Sequence, residues 1–172
     1  MTEKEFYNTI VSGASDAIEL VVAILTKFDL PFCIIGGLAV NAYAEPVISM
    51  DFDIAVASKP PEKLLSELRT HLTVKEFPHR INIAFPNSSL RVQLQTDNRY
   101  RDFPRRASVM RLLGHMLPVA CIEDLLKSKI WAYSDPERRK SKRQKDLSDI
   151  MRLVEAHQEL EKILPDDIRK LL

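Results

Sequence analysis

The sequence is short of the residues that staple small secreted domains or build structural metal sites. It has two cysteines in 172 residues, Cys33 and Cys121, far apart and each in an apolar stretch. That count excludes a disulfide framework and reads as two free, buried thiols in a reducing compartment. The four histidines, His71, His79, His115 and His157, are not spaced as metal ligands with one another or with a cysteine, which argues against structural zinc. No basic, then apolar, opening segment leads to a small-residue cleavage site, so no secretory signal is expected. Apolar runs are too short and too interrupted by charge to span a bilayer, and no membrane partner is expected. Together these absences predict a cytoplasmic protein. Charge of one sign is also lacking: 25 Lys and Arg stand against 24 Asp and Glu, a net +1. Any attraction for nucleic acid must therefore come from a local patch.

What is present is an ordinary globular composition, 45% hydrophobic and 28% charged. The length suits one structural unit: a core over 1–120 and a helical extension over 121–172 packed on it. Ser15 or Asp16 is placed to cap a helix running to about Phe28, with Ile18, Val21, Val22 and Leu25 at helical spacing. Phe32–Ile35 reads as a short buried strand, Gly36-Gly37 as a sharp turn, and Leu38–Tyr43 as a short helix. Met50–Val56 reads as a strand and Glu62–Leu72 as an amphipathic helix. Strands follow at Val74–Phe77, Ile81–Phe85 and Leu90–Thr96, with a further one at His115–Val119. From Ile122 the pattern is helical, broken at Ser134-Asp135-Pro136 and resumed through Leu147, Ile150, Met151 and Val154. The fold class is α/β (α+β), a mixed sheet with flanking helices and a helical C-terminal part.

The stretch that carries chemistry is Gly36-Gly37, thirteen residues, then Asp51-Phe52-Asp53. Residues i and i+2 of a strand share a face, so Asp51 and Asp53 project side by side while Phe52 and Ile54 face a core. Two like charges so close repel unless a cation sits between them. A hard divalent ion with oxygen ligands, Mg²⁺ or Mn²⁺, is the natural partner and keeps positions open for substrate phosphates. A Gly-Gly turn from strand into helix lets backbone N–H groups approach a phosphate. Each element alone has a plainer reading, a tight turn or a solvated strand edge; it is the conjunction that points to phosphoryl or nucleotidyl transfer.

Those residues resemble the signature of the polymerase-β-like nucleotidyltransferases. Within that superfamily "IIGGLAVNAYAEPVISMDFDIAV" is similar to the AbiEii toxin-like nucleotidyltransferases. "IEDLLKSKIWA", with Asp124 and Lys129, and "KRQKDLSDI", with Lys145, Asp146 and Asp149, resemble two later elements of the same family. The resemblance covers roughly 32–155. It implies a polymerase-β-like core and Mg²⁺-dependent transfer of a nucleoside monophosphate from an NTP to an acceptor hydroxyl on RNA, protein or a small molecule. It also implies a place in a toxin–antitoxin pair, with an antitoxin-like protein as partner. Gly36 and Gly37 would hold phosphates, Asp51 and Asp53 the metal. Lys129 would contact nucleotide phosphates, and Asp146 would orient that lysine or the substrate. Alternatively, Lys129 is a lysine snorkelling from a helix, and Asp146 and Asp149 lie on an exposed helix face.

The chain departs from the family at its third carboxylate, where Gln93 stands. Asp97 shares its strand parity and is the remaining candidate for the catalytic base, with Gln93 and Gln95 left to hydrogen-bond a ligand or the carboxylate pair. If Asp97 does not reach, the alternative is a catalytically degenerate fold that binds nucleotide or another protein. Two basic stretches remain. Glu137–Lys145, including Lys145 as a ligand contact, is either a solvated helix start or a landing strip for an anionic acceptor such as RNA. Arg99, Arg101, Arg105 and Arg106 alternate with Tyr100 and Phe103, which suits stacking on an unpaired base unless Phe103 belongs to the core.

Overall fold

The computed structural model describes the backbone of residues 1–172 and every side chain except those of Glu3, Ile10 and Ser15. Two helices open the chain, α1 (Glu3–Ile10) and α2 (Ala14–Lys27). The α1 start is a capping box in which Thr2 accepts from the Glu5 amide and the Glu5 carboxylate accepts from the Thr2 amide. The cap of α2 is Gly13, in the left-handed region at φ 66°, and not Ser15 or Asp16. Asp16 lies in the first turn, where an acid complements the helix dipole, and the Ser15 side chain lies outside the described ones.

Next come β1 (Phe32–Ile35), α3 (Gly36–Val40), β2 (Asp51–Val56), α4 (Glu62–His71), β3 (Thr73–Phe77), β4 (Arg80–Ala84) and β5 (Arg91–Gln95). After a 3₁₀ turn at Asn98–Tyr100 lie α5 (Phe103–Arg106), β6 (Ser108–Leu112), β7 (His115–Val119), α6 (Ile122–Ser134) and α7 (Lys140–Ala156). A second 3₁₀ turn, Gln158–Ile163, and α8 (Asp166–Arg169) end the chain. The strands form one seven-stranded sheet in the order β3-β4-β5-β2-β1-β7-β6. Pairing is antiparallel except for β2 with β5 and β1 with β7. The expected mixed sheet with flanking helices is what the chain folds into.

Alternation fixes the register of the central strand: Phe52 and Ile54 are fully buried, while Asp51 and Asp53 on the other face are half-buried. Full burial of each apolar side chain there contributes roughly 1.5–3 kcal/mol. α3 packs on β2, α6 and α7; α5 packs on β1 and β2; α6 and α7 pack on each other. The acid-bearing face of β2 is thereby faced by the C-terminal helices. Among the described residues no helix is long and apolar enough to cross a membrane.

Candidate active site

The carboxylates meet at the strand that carries them and the turn beside it. Ile35, the last residue of β1, pairs with Asp53, so the chain leaves β1 directly over that side chain. Gly36 follows at φ 77°, and a Cβ on it would overlap the Asp53 carboxylate oxygen Oδ2. Only glycine meets both demands, positive φ and close approach. α3 begins at Gly36 itself, two residues earlier than its sequence pattern suggests, and is five residues long. So short a helix has little dipole, and the first glycine acts chiefly through this close approach. Gly37 looks elsewhere: its Cβ position is 3.7 Å from Asp149 Oδ2 and 4.0 Å from Ser49 Oγ.

Across the sheet, Arg91 lies level with Asp51, and Gln93 with Asp53. Asp51 is answered by two cations: Arg91 Nε donates to its Oδ1 at 2.7 Å, and Lys142 Nζ stands 3.6 Å from Oδ2. Among the described residues Asp53 has no such direct partner. Burial pushes its carboxyl up to about 6, against the pull of Lys129 and with a further push from Asp51. The approach to the pair is itself fixed. Ser49 Oγ accepts from the Asp51 amide at 3.2 Å, and the buried Tyr7 hydroxyl of α1 donates to the Ser49 carbonyl.

The opposing wall is a buried ionic cluster between α6 and α7. Lys129 is 8% exposed, with Nζ 2.6 Å from Asp149 Oδ2 and 3.5 Å from Asp146 Oδ1. Arg138 Nε donates to Asp146 Oδ2 at 2.5 Å. Arg152 donates to Asp149 at 2.8 Å and also to Asn41 Oδ1 at 2.7 Å, tying α7 to the segment after α3. Asp146 and Asp149 are 2% and 3% exposed, which rules out a solvated helix face for them.

Between the walls lies an open cleft of about 730 Å³. Gly36, Asp51, Asp53, Gln93, Gln95, Asp97, Lys129 and Asp146 all line it; Gly37 and Lys145 do not. Lys145 is exposed, and the basic run reaches the cleft instead through Arg138 and Lys142. A helical signal for this was present, since Lys142, Asp146 and Asp149 stand at i, i+4 and i+7 on one face of α7. Asp97 is spent locally. It caps the 3₁₀ turn through the Arg99 amide at 2.9 Å and pairs with the Arg99 guanidinium at 3.0 Å. That hydrogen bonding holds its carboxyl below the usual range, a poor setting for a base. Phe103 is core, 2% exposed. Beside it, Tyr100 and Trp131 line the cleft, a wall that nothing local in the sequence marked for Trp131.

A hard divalent cation fits the donor set. Two carboxylates on one strand face supply oxygen ligands and leave the remaining positions to water and phosphate. Among the described residues no group of three or more His, Cys, Asp or Glu side chains is placed to hold a metal.

No protein-family model and no curated protein matches the chain. Solved structures do. The antibiotic-resistance factor ANT(2'')-Ia, in complex with adenylyl-2''-tobramycin, superposes with a TM-score of 0.61 at 16% identity, covering 91% of this chain and 97% of that one. An antigenic nucleotidyltransferase-like protein from Paracoccidioides brasiliensis gives 0.55 at 15% identity, over 90% and 91% of the two chains. The lincosamide antibiotic adenylyltransferase LnuA, lincomycin-bound, gives 0.51 at 12%, over 79% and 95%. At such identities the likeness establishes the fold: the chain has the nucleotidyltransferase fold over nearly its whole length.

Proposed function

We propose that the protein transfers a nucleoside monophosphate from an NTP to an acceptor hydroxyl. The observation that carries this reading is the placement of Asp51 and Asp53 side by side on the cleft face of β2, with Gly36 against them and Lys129, Arg138 and Lys142 around the same cleft. A divalent cation held by Asp51 and Asp53 would neutralise triphosphate charge and acidify the attacking hydroxyl. Lys129, fixed by Asp146 and Asp149, and Arg138 and Lys142 from the α7 side offer positive charge to the phosphates without reorganisation. The acceptor oxygen forms a bond to the α-phosphorus, the bond to the bridging oxygen breaks, and pyrophosphate leaves. The hydroxyl proton goes to water in the open cleft, because Gln93 cannot take it and Asp97 is held by Arg99.

The test is incubation with α-labelled NTPs and candidate acceptors, RNA included, comparing the wild type with Asp51→Asn/Asp53→Asn. Label on an acceptor with the wild type alone supports transfer; equal labelling by both proteins overturns it. A second reading, a nucleotide-binding module without turnover, is favoured by the neutral Gln93 level with Asp53 and by the engagement of Asp51 with Arg91. It predicts Mg²⁺-dependent NTP binding and no labelled product. The toxin role and an antitoxin-like partner rest on the sequence resemblance, and two free thiols, Cys33 and Cys121, suit the cytoplasm.

A further inference from the structure

One wall of the cleft, formed by α6, takes no part in holding the metal or the phosphates beyond Lys129. On α6, Ser128 and Ala132 are four residues apart and share a face, and both line the cleft. Helical geometry sets Lys129 to one side of this pair and Trp131 to the other. The two small residues therefore floor a slot between a phosphate-seeking cation and an indole. Trp131 is braced from behind. Its ring is stacked near Phe103, at 6.0 Å between centroids and 27° between planes, and Tyr100 meets it edge-on at 5.8 Å. Phe103 is fixed in turn, because its α5 neighbour Arg106 pairs with the buried Asp124 of α6 through bonds of 2.8 and 3.0 Å. Trp131 itself remains half-buried and lines the cavity. The Arg99 guanidinium carbon lies 5.2 Å from its ring centre, so a flat group already rests on the indole. Arg99 is exposed on the cleft rim, and swinging out from the indole exchanges its surface pairing with Asp97 for solvent.

We propose that this slot receives the nucleobase of the donor triphosphate, stacked on Trp131 in the place Arg99 now occupies, with the phosphates running toward Lys129 and Gly36. The inference rests on the donor-NTP reading above and names the part of the site that holds the base. Stacking reads the π-face and not the hydrogen-bonding edges, so ring size sets the preference and purines bind more tightly than pyrimidines.

Trp131 is the single tryptophan of the chain, which makes the platform its own reporter. The experiment titrates the protein with ATP, GTP, CTP, UTP and inorganic tripolyphosphate, each with Mg²⁺, following indole fluorescence and calorimetric affinity. The expected result is quenching by all four nucleotides, purines binding more tightly, with tripolyphosphate binding but leaving the fluorescence in place. Ala132→Leu, which fills the slot, and Trp131→Leu, which removes the platform, each weaken ATP about tenfold. Both leave tripolyphosphate affinity within about twofold, and Trp131→Phe retains most of the ATP affinity. Thermal melts confirm that the variants fold. The inference is overturned if the Leu variants bind ATP like the wild type, or if tripolyphosphate binds as tightly as ATP. Quenching by an oligonucleotide but by no free nucleotide also overturns it, in favour of an acceptor base. If neither ATP nor tripolyphosphate binds the wild type, the donor-NTP reading falls as well.

Discussion

Asp51 and Asp53 hold two carboxylates at same-face positions of one strand, and the chain answers them unequally. Arg91 and Lys142 attend Asp51, whereas Asp53 sits under Gly36 with burial opposing its charge. In the absence of a divalent ion this arrangement costs stability. Asp53→Asn keeps the shape and removes one charge, so it should stabilise the metal-free protein by on the order of 1 kcal/mol while abolishing transfer. Melting in EDTA at neutral pH checks the first half; an Asn variant that melts below the wild type contradicts it. The pair was legible in the sequence because strand parity is local. The partners of Asp51 were not, since Arg91 lies forty positions away and Lys142 on a helix across the cleft.

At the scale of elements, α6 and α7 are joined by charges as well as by apolar packing. Lys129, Asp146, Asp149, Arg138 and Arg152 form a cluster in which both acids and the lysine are buried. Removing Lys129 leaves Asp146 with Arg138 and Asp149 with Arg152, yet strips two buried carboxylates of the cation they share, which costs more than the intact pairing contributes. Lys129→Met, close in shape, should therefore lower unfolding stability by about 3 kcal/mol, read from urea denaturation. A change under about 0.5 kcal/mol would show the cluster to be solvated and loose. Sequence pattern found both helices but left Asp146 and Asp149 open between an exposed face and a functional one, because only the partner helix decides. It missed β6 for a different reason. The β6–β7 hairpin turns at Leu113 and Gly114, both at positive φ (54° and 78°), and leucine at the first of these hides the usual Asn-Gly or Asp-Gly turn signal.

For the whole molecule, the cleft is walled by the sheet on one side and by α6 and the start of α7 on the other. A ligand that bridges the walls adds to stability by mass action, about 2.7 kcal/mol at a hundred times its Kd. For a chain of this length that corresponds to a rise in Tm of roughly 5–10 °C with saturating Mg²⁺ and NTP. A thermal scan with and without each component tests this, and an unchanged Tm for every NTP counts against nucleotide binding of any kind. The architecture was legible because strands and helices announce themselves by period; the cleft's far wall was not, because it is made by long-range docking. One such long-range link reaches from the first helix to the acid pair: the Tyr7 hydroxyl holds the Ser49 carbonyl, and the Ser49 hydroxyl holds the Asp51 amide. Trimming or tagging the amino end in pursuit of better expression thus tugs on the strand that carries the acid pair, and a preparation shortened past Tyr7 is expected to misplace Asp51 before any ligand is added.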